Sequence, residues 1–351
     1  RVLLIEGRGA LRVDWHCRLL LGSDDRDAPF VQVRVQDGAL EAQNPRAPKP
    51  ETRFFALCSQ EPEALYTDRM QFLRRGGEPG GEPAFGLSAV GQDILVLVCG
   101  VEKPETLFAL ARPERAKKAL EETRRSWAQR LGTIHVVTGE DALDHMLLWA
   151  PYQALAGRLL GRSSVYQSGG AFGFRDQLQD AVNLLFLSPS YAREQILLSC
   201  EHQYAEGDVM HWWHSHPAGD KGVRTRCSDD LLWLPWALCE YVEKTGDHKL
   251  CREEAPWLEA PPLAPTERDR YFAPAATEDR DDVLTHGKRA LDRVLARGAG
   301  PHGLLLTGSG DWNDGMDLVG GESVWLTWFF AHTARRFAAL LERLGEPGHQ
   351  R

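Results

Sequence analysis

The hydrophobic spacing of the chain changes period once, and that change dictates a β part followed by an α part. Over residues 1–105, short apolar runs at 10–21, 30–35, 53–57 and 93–98 are separated by turn clusters. Val31, Val33 and Val35 alternate with Gln32 and Arg34, a period of two that puts the valines on one face of a half-buried strand. Residues 76–83 are mostly glycine, proline and glutamate, the composition of an exposed loop. The segment predicts part of an antiparallel β-sandwich. Residues 103–130 are rich in lysine, arginine, glutamate, alanine and leucine, which predicts one or two charged helices as a linker. Thr138, with Asp141 three residues on, resembles a capping box before the apolar stretch that begins at Leu143.

Beyond residue 140 the pattern is helical almost throughout. Ser228 is placed to cap a helix with Asp229 and Asp230 in its first turn, where carboxylates favour the positive end of the dipole. Leu231, Leu234, Leu238 and Val242 then recur at helical spacing, and Pro235 predicts a kink. Residues 278–297 and 323–344 read as two further amphipathic helices, the second with a broad stripe of Trp325, Trp328, Phe329, Phe337, Leu340, Leu341 and Leu344. Roughly six helices are expected after residue 140. The long loops at 166–174, 206–225 and 304–321 are rich in glycine, tryptophan, arginine and aspartate, and loops of that kind are where function concentrates. At 351 residues the chain exceeds the size of one ordinary core. The expected division is 1–105 (partial sandwich), 106–140 (helical linker) and 141–351 (helical domain).

Bulk properties exclude several functional classes. A net charge of −9, with both signs interspersed, offers no basic stripe for a phosphate backbone, which argues against nucleic acid and for a neutral substrate. No apolar run approaches the 18 or so residues needed to cross a bilayer. The seven cysteines are odd in number and contain no C-x-x-C pair, as expected of reduced thiols in a cytoplasmic protein. The chain starts at Arg1 without an initiator methionine or signal pattern, so its natural amino terminus is expected upstream.

Three clusters carry the residue types that chemistry needs. The first, Gly308-Ser309-Gly310-Asp311-Trp312-Asn313-Asp314-Gly315-Met316-Asp317, sets three carboxylates and an indole in one glycine-flanked loop. Glycosyl transfer needs a carboxylic acid near the leaving oxygen, and an aromatic face suits the C–H face of a sugar. An apolar ring beside a carboxyl also favours its neutral, donating form. The competing reading is a self-capping Asp/Asn/Gly loop or a calcium loop, although the terminal glutamate of the latter is missing. The second cluster is Gly169-Gly170-Ala171-Phe172-Gly173-Phe174-Arg175-Asp176-Gln177-Leu178-Gln179-Asp180. Arginine and carboxylate here form the donor and acceptor set that grips vicinal hydroxyls, or else a structural ion pair at a helix start. The third joins Glu206-Gly207-Asp208-Val209-Met210-His211-Trp212-Trp213-His214 to Arg224, Arg226 and Ser228-Asp229-Asp230. Its histidines, His211, His214 and His216, lack the spacing of a zinc site, and its tryptophans, arginines and aspartates resemble a carbohydrate groove. No metal is expected.

In this order and separation, the blocks at 170–180, 206–235 and 308–321 resemble the signature segments of glycoside hydrolase family 94. That family holds cellobiose and chitobiose phosphorylases and the carboxyl-terminal module of cyclic β-1,2-glucan synthases. Tyr166-Gln167-Ser168 and Glu322-Ser323-Val324-Trp325 are most similar to the glucan synthase branch. The resemblance implies a β-sandwich, a helical linker and an (α/α)6 barrel, of which this chain would hold the first half. It implies an inverting phosphorolysis of β-glucosides to α-glucose 1-phosphate, with Asp314 as the general acid, Trp312 lining the sugar site, and Arg175 and Asp180 holding hydroxyls of the nonreducing-end glucose. Trp213, Arg224, Arg226 and Asp230 fall in the groove or its supporting shell. One carboxylic acid suffices, because inorganic phosphate is already an anionic nucleophile; no other cofactor is implied. The family's phosphate-binding residues fall beyond Arg351, so the chain alone is expected to be inactive and to expose apolar surface on its open flank. The stretch His214 to Gly222 is about two residues longer than the family pattern. Family members are often homodimers, and the location implied is the cytoplasm, alone or as part of a larger membrane synthase. Two alternatives stay open: an inverting hydrolase with Asp208, Asp229 or Asp230 activating water, and a noncatalytic glucan-binding module.

Overall fold

The computed structural model describes residues 1–22, 25–47, 49–133, 136–160, 171–215, 219–314 and 321–346. They form two compact units, Arg1–Gly132 and Thr133–Ser215 with Gly219–Arg351. Gly169, Gly170, His216, Gly315 and Asp317 of the sequence clusters, and the segment 166–168, lie outside the described residues.

The first unit is built from β1 (Val2–Arg18), β2 (Gln32–Gln36), β3 (Ala39–Gln43), β4 (Arg53–Cys58), β5 (Ala64–Asp68), the short α1 (Arg69–Arg74), β6 (Pro83–Gly100), α2 (Pro104–Leu110) and α3 (Pro113–Leu131). Its six strands pair antiparallel in the order β1-β6-β4-β3-β2, with β5 also on β6. The 18-residue β6 does most of the joining. Its first third, Pro83 to Ser88, pairs with β5, its last residues with β4, and nearly its whole length with β1. Alternation along β6 feeds two separate cores. Leu95 and Leu97 pack with Leu40, Phe85 and Leu87, whereas Val96 and Val98 pack with Leu57 and with Leu107, Ala111 and Ala116 of the helical segment. The helices α2 and α3 therefore cover one face of the sheet. Val31 is buried, but Val35 is 49% exposed, because β2 is an edge strand with no partner beyond it. The glycine-rich segment at 76–83 is exposed at its tip yet tied down by Asp68, whose carboxylate accepts from Gly80 N at 2.9 Å and Glu82 N at 2.7 Å while capping α1.

The second unit holds α4 (Asp141–Gln153), β7 (Phe172–Gly173), α5 (Phe174–Asn183), α6 (Pro189–Cys200), β8 (Met210–His214), β9 (Lys221–Thr225), α7 (Trp233–Thr245), β10 (Glu254–Glu259), β11 (Asp269–Phe272), β12 (Ala275–Asp282), α8 (Val283–Arg297) and α9 (Val324–Arg343). Six α-helices follow residue 140 among the described residues, as the periodicity predicts. The loops between them are not plain coil. They form a four-stranded antiparallel sheet, β11-β9-β8-β7, and a two-stranded one, β10-β12. Residues 278–282, expected as helix, belong to β12; Asp282 then caps α8, its Oδ1 accepting from Thr285 N at 2.8 Å. Thr138 answers Asp144, not Asp141, through a 2.7 Å hydroxyl–carboxylate bond. Pro235 lies in the first turn of α7, where it costs no hydrogen bond and produces no break.

The helix α7 is the axis of the core. Leu234, Leu238 and Val242 recur at the expected spacing and are buried with Trp233, Ala237, Cys239 and Tyr241, so α7 is apolar on nearly every side. On α9, Phe337, Leu340 and Leu341 are buried, but Trp328 is 71% exposed.

A buried ion cluster stitches the loops to the helices. Asp208, just before β8, accepts from Arg293 of α8 at 2.8 and 2.9 Å, from Arg297 at 2.9 Å and from Arg224 of β9 at 2.9 Å. Burial opposes its charge, but the three guanidiniums hold its carboxyl well below the usual range. Removing this charge leaves three guanidiniums around an uncompensated site. Asp208→Asn is expected to cost about 3 kcal/mol of stability, measured as a drop in the denaturant midpoint; an unchanged midpoint would show that the cluster is not what holds β9 to α8.

Candidate functional site

The strand β7 runs straight into α5 and places Arg175 in the first turn of that helix. A cation is disfavoured there by the helix dipole, and Arg175 is also buried, with 7% of its side chain exposed. Carboxylates offset both penalties. Arg175 Nη1 donates to Asp229 Oδ1 at 3.0 Å and lies 3.8 Å from Asp230 Oδ1, while Nη2 donates to Asp314 Oδ1 at 2.5 Å. The same Nη1 reaches the Asp311 carbonyl at 3.0 Å. Burial works against the Arg175 charge, but Asp229 and Asp230 raise its pKa above the ordinary arginine value.

The residues around this guanidinium are each held by a second partner. Asp229 Oδ2 accepts from Trp233 Nε1 at 2.9 Å, and the Cys227 thiol donates to Asp229 Oδ1 at 3.3 Å. Asp230 Oδ2 pairs with His211 Nδ1 at 2.8 Å. Burial, then the neighbouring Asp230 charge, pushes the Asp229 carboxyl above the usual carboxylate range. Burial also acts against the Asp230 charge, but the His211 imidazolium and Arg175 hold its pKa below the ordinary value. In return the Asp230 carboxylate raises His211 to about 9, against its own burial. The Cys227 thiol is pushed up strongly by burial and by both carboxylates, so it stays a neutral S–H donor.

The loop that carries Asp314 is fastened on two sides. Ser228 donates through N and Oγ to the Gly310 carbonyl, at 2.9 and 2.8 Å, so its hydroxyl anchors this loop and does not cap α7. Gly308 has φ +59, and a Cβ there would sit 2.1 Å from the Arg226 carbonyl; only glycine fits this approach. On the other side Ser323 Oγ donates to Asp311 Oδ2 at 2.7 Å and accepts from Leu326 N at 3.1 Å, capping α9.

A cleft of about 400 Å³ opens over this assembly, lined by His211, Trp212, Val223, Thr225, Cys227, Arg268, Asp269, Ser309, Gly310 and Asp314. Asp314 has 62% of its side chain exposed, and Trp312, near it in sequence, is 55% exposed. The Asp314 carboxylate accepts from the Arg175 guanidinium. Strand alternation sorts the third sequence cluster into two sets. Trp212 faces the cleft, while Trp213 is fully buried between His202 and Phe172, with ring centroids 3.9 and 5.4 Å away. Val223 and Thr225 face the cleft, while Arg224 is buried against Tyr204, its guanidinium 4.0 Å from the ring centre, and bonded to Asp208. Arg226 is spent on the backbone carbonyls of Leu263, Ala264 and Glu267. Asp180 lies half-buried on α5, roughly 140° around the helix from Arg175 by the ordinary turn angle. The structure thus brings Arg175, Asp230 and Asp314 together, and sets Trp213 and Arg224 behind the cleft wall. The sequence pairs Trp212 with Trp213 as groove residues without telling them apart, gives His211 only as a candidate zinc ligand, and does not mark Arg268 or Asp269. Only the alternation of β8 could have separated Trp212 from Trp213, and the loop before β11 carries no signal.

His211, Cys227 and Asp230 offer ligand atoms within 4.8 Å of one another. A metal ion there would face the Arg175 guanidinium and would have to displace protons from an imidazole and a thiol whose pKa values are both raised. The donor set suits a proton better than a cation.

The profile of the "Glycosyl hydrolase 94 superfamily, catalytic domain" matches residues 126–350. Cyclic beta-(1,2)-glucan synthase NdvB of Rhizobium meliloti (strain 1021) is 38% identical over 365 residues, covering 93% of this chain and 13% of that protein. Solabiose phosphorylase of Paenibacillus borealis is 28% identical over 350 residues, covering 89% of this chain and 41% of that enzyme. N,N'-diacetylchitobiose phosphorylase of Vibrio proteolyticus is 26% identical over 247 residues, with 63% and 28% covered. The chain spans less than half the length of these relatives. No helix among the described residues is long and apolar enough to cross a membrane. With its antiparallel sheets, its helices and the profile match through the loop that bears Asp314, the chain belongs to the glycosyl hydrolase 94 family.

Proposed function

We propose that this chain carries the acid half of an inverting glycoside phosphorylase site for β-linked glucosyl saccharides, with Asp314 as the proton donor. The observation that carries the reading is the Arg175 guanidinium, which fixes the Asp311 carbonyl and the Asp314 carboxylate together at the edge of a saccharide-sized cleft. Its supports are the family itself and the phosphorylases and glucan synthase among its relatives. In the proposed reaction, phosphate attacks the anomeric carbon from the face opposite the leaving group. The glycosidic C–O bond breaks, and Asp314 gives its proton to the departing oxygen, yielding α-glucose 1-phosphate and the shortened saccharide. To do so the Asp314 carboxylate must leave its ion pair with Arg175 and take up a proton from solvent before the glycosidic bond breaks. A sugar hydroxyl that accepts from Arg175 competes for the same donor and so releases it. Trp212 and Trp312 supply aromatic faces for the sugar, and Asp180 is proposed as a second hydroxyl-binding group. Trp213, Arg224, Arg226 and Asp230 support the groove from behind.

The helical unit is proposed to be the first half of an (α/α)6 barrel, and the sheet part of a sandwich, as in the family. The exposed Trp328 on α9 suits an edge that more helices would cover. A cytoplasmic site of action, alone or within a β-1,2-glucan synthase, and a homodimeric assembly belong to the same reading. The hydrolytic alternative needs a carboxylate that can reach water in the cleft. Asp208 and Asp229 are buried on their own partners and Asp230 is held by His211, and Asp269 on the cleft wall is the group that would have to serve.

The deciding assay follows the products of a β-1,2-linked gluco-oligosaccharide with and without phosphate, using this chain and a longer protein containing it. Glucose 1-phosphate formed only with phosphate supports the proposal; free glucose lost in Asp269→Asn supports hydrolysis. Asp314→Asn is expected to lower kcat by at least ~10²-fold with little change in KM. Full turnover by that variant would falsify the assignment of the acid.

The charge state of the site also sets a pH dependence. Because the folded His211 has a pKa of about 9, above the ordinary 6.5, its pair with Asp230 stabilises the fold fully below pH 6.5 and loses that stability as pH rises through about 9. The decline should amount to roughly 3 kcal/mol in chemical unfolding curves, and His211→Gln should flatten it. An equally steep decline in the variant would place its origin elsewhere.

A further inference from the structure

We infer that the second unit has an anion-binding site behind the loop that bears Asp314, built to take a phosphate group as inorganic phosphate or as a small phosphate monoester. A separate cavity of about 330 Å³ lies there, lined by Asp208, Thr225, Arg226, Pro262, Leu263, Arg293, Ala296, Arg297, Leu306 and Gly308. That volume is at the lower end of the range for small-molecule sites, and it suits a compact ligand.

The charge balance of this pocket favours an anion. Arg226, Arg293 and Arg297 line it, and Arg224 stands directly behind Asp208. Against these four cations stand two carboxylates, Asp208 on the wall and Glu206, which meets Arg224 at 3.4 Å. Both Asp208 oxygens are already engaged by guanidiniums. Nearby Asp230 is held by His211, and Glu267 by Arg270.

The guanidiniums also keep donors in reserve. Arg293 spends Nε and Nη2 on Asp208, Arg297 spends Nη1 on the Cys227 carbonyl and Nη2 on Asp208, and Arg226 spends Nε and Nη2 on backbone carbonyls. Among the described residues, Nη1 of Arg293, Nη1 of Arg226 and Nε of Arg297 make no hydrogen bond, so each arginine is fixed in place with N–H groups unused. Prepositioned arginines, each with one spare N–H nitrogen, suit the oxygens of a phosphate group. Leu263, Leu306, Pro262 and Ala296 add an apolar lip beside those charges.

The test uses the whole chain at constant ionic strength, with inorganic phosphate and glucose 1-phosphate as separate probes in titration calorimetry. Ala296 is exposed on α8 at the pocket rim, so Ala296→Glu adds a negative charge there without disturbing the buried cluster, and Ala296→Lys is its charge-reversed control. Saturable binding of either probe that weakens at least tenfold in Ala296→Glu and not in Ala296→Lys is the expected result. If both probes bind alike the site reads the phosphate group alone; if only the ester binds, it also reads the attached sugar. Absence of saturable binding would overturn the proposal. So would binding that survives Ala296→Glu but is lost in Arg268→Ala, because that places the anion in the Asp314 cleft. The catalytic proposal does not enter this measurement, so either can fail without the other.

Discussion

A guanidinium buried at the wrong end of a helix has to be compensated, and the active loops of this chain are arranged around that requirement. Left alone, Arg175 would pay for desolvation and for the α5 dipole at once. The compensation comes from two places far apart in sequence: Asp229 and Asp230 ahead of α7, and the aspartate loop, through the Asp311 carbonyl and the Asp314 carboxylate. Meeting one charge therefore draws the start of α5, the start of α7 and the aspartate loop to a single point. Rigid packing beneath that point, with Trp233 held on Asp229 and Ser228 on the Gly310 carbonyl, keeps the loop from following its own preferences.

A second hub of inverse sign lies close behind. Where Arg175 is one cation among carboxylates, Asp208 is one carboxylate among guanidiniums. The two are joined through residue 227, whose carbonyl accepts from Arg297 and whose thiol donates to Asp229. Cys227 sits between the hubs as a neutral group because burial and the carboxylates keep its proton on. The cleft face and the buried face of β8 and β9 are thus electrically distinct although they share the same strands.

Much of this was legible in the sequence. The change from period two to helical period marked where the sheet gives way to helices and gave about the number found among the described residues after residue 140, since burial of one face is what imposes each period. The aspartate loop, Arg175 and the 228–230 segment stood out by composition, and they do converge. What was hidden depends on tertiary pairing. Residues 278–282 have helical composition, but β10 recruits them as a strand, with Trp257 Nε1 donating to Asp281 at 3.0 Å. Trp212 and Trp213 are identical as letters and are separated only by the face of a strand that the sequence does not announce. Ser228 has the form of a cap, yet its hydroxyl is claimed by a carbonyl 82 residues away.

The alternation along β6 has a consequence for how the first unit can vary. Leu95 and Leu97 belong to one core, and Val96 and Val98 to the other. All four are small or medium aliphatic residues, so exchanging one for another changes volume by little. A single inserted or deleted residue is different in kind: it would carry every following side chain through the sheet, undo the pairing with β1 and β4 together, and leave neither core intact. This stretch should therefore drift in identity while keeping a strictly conserved length.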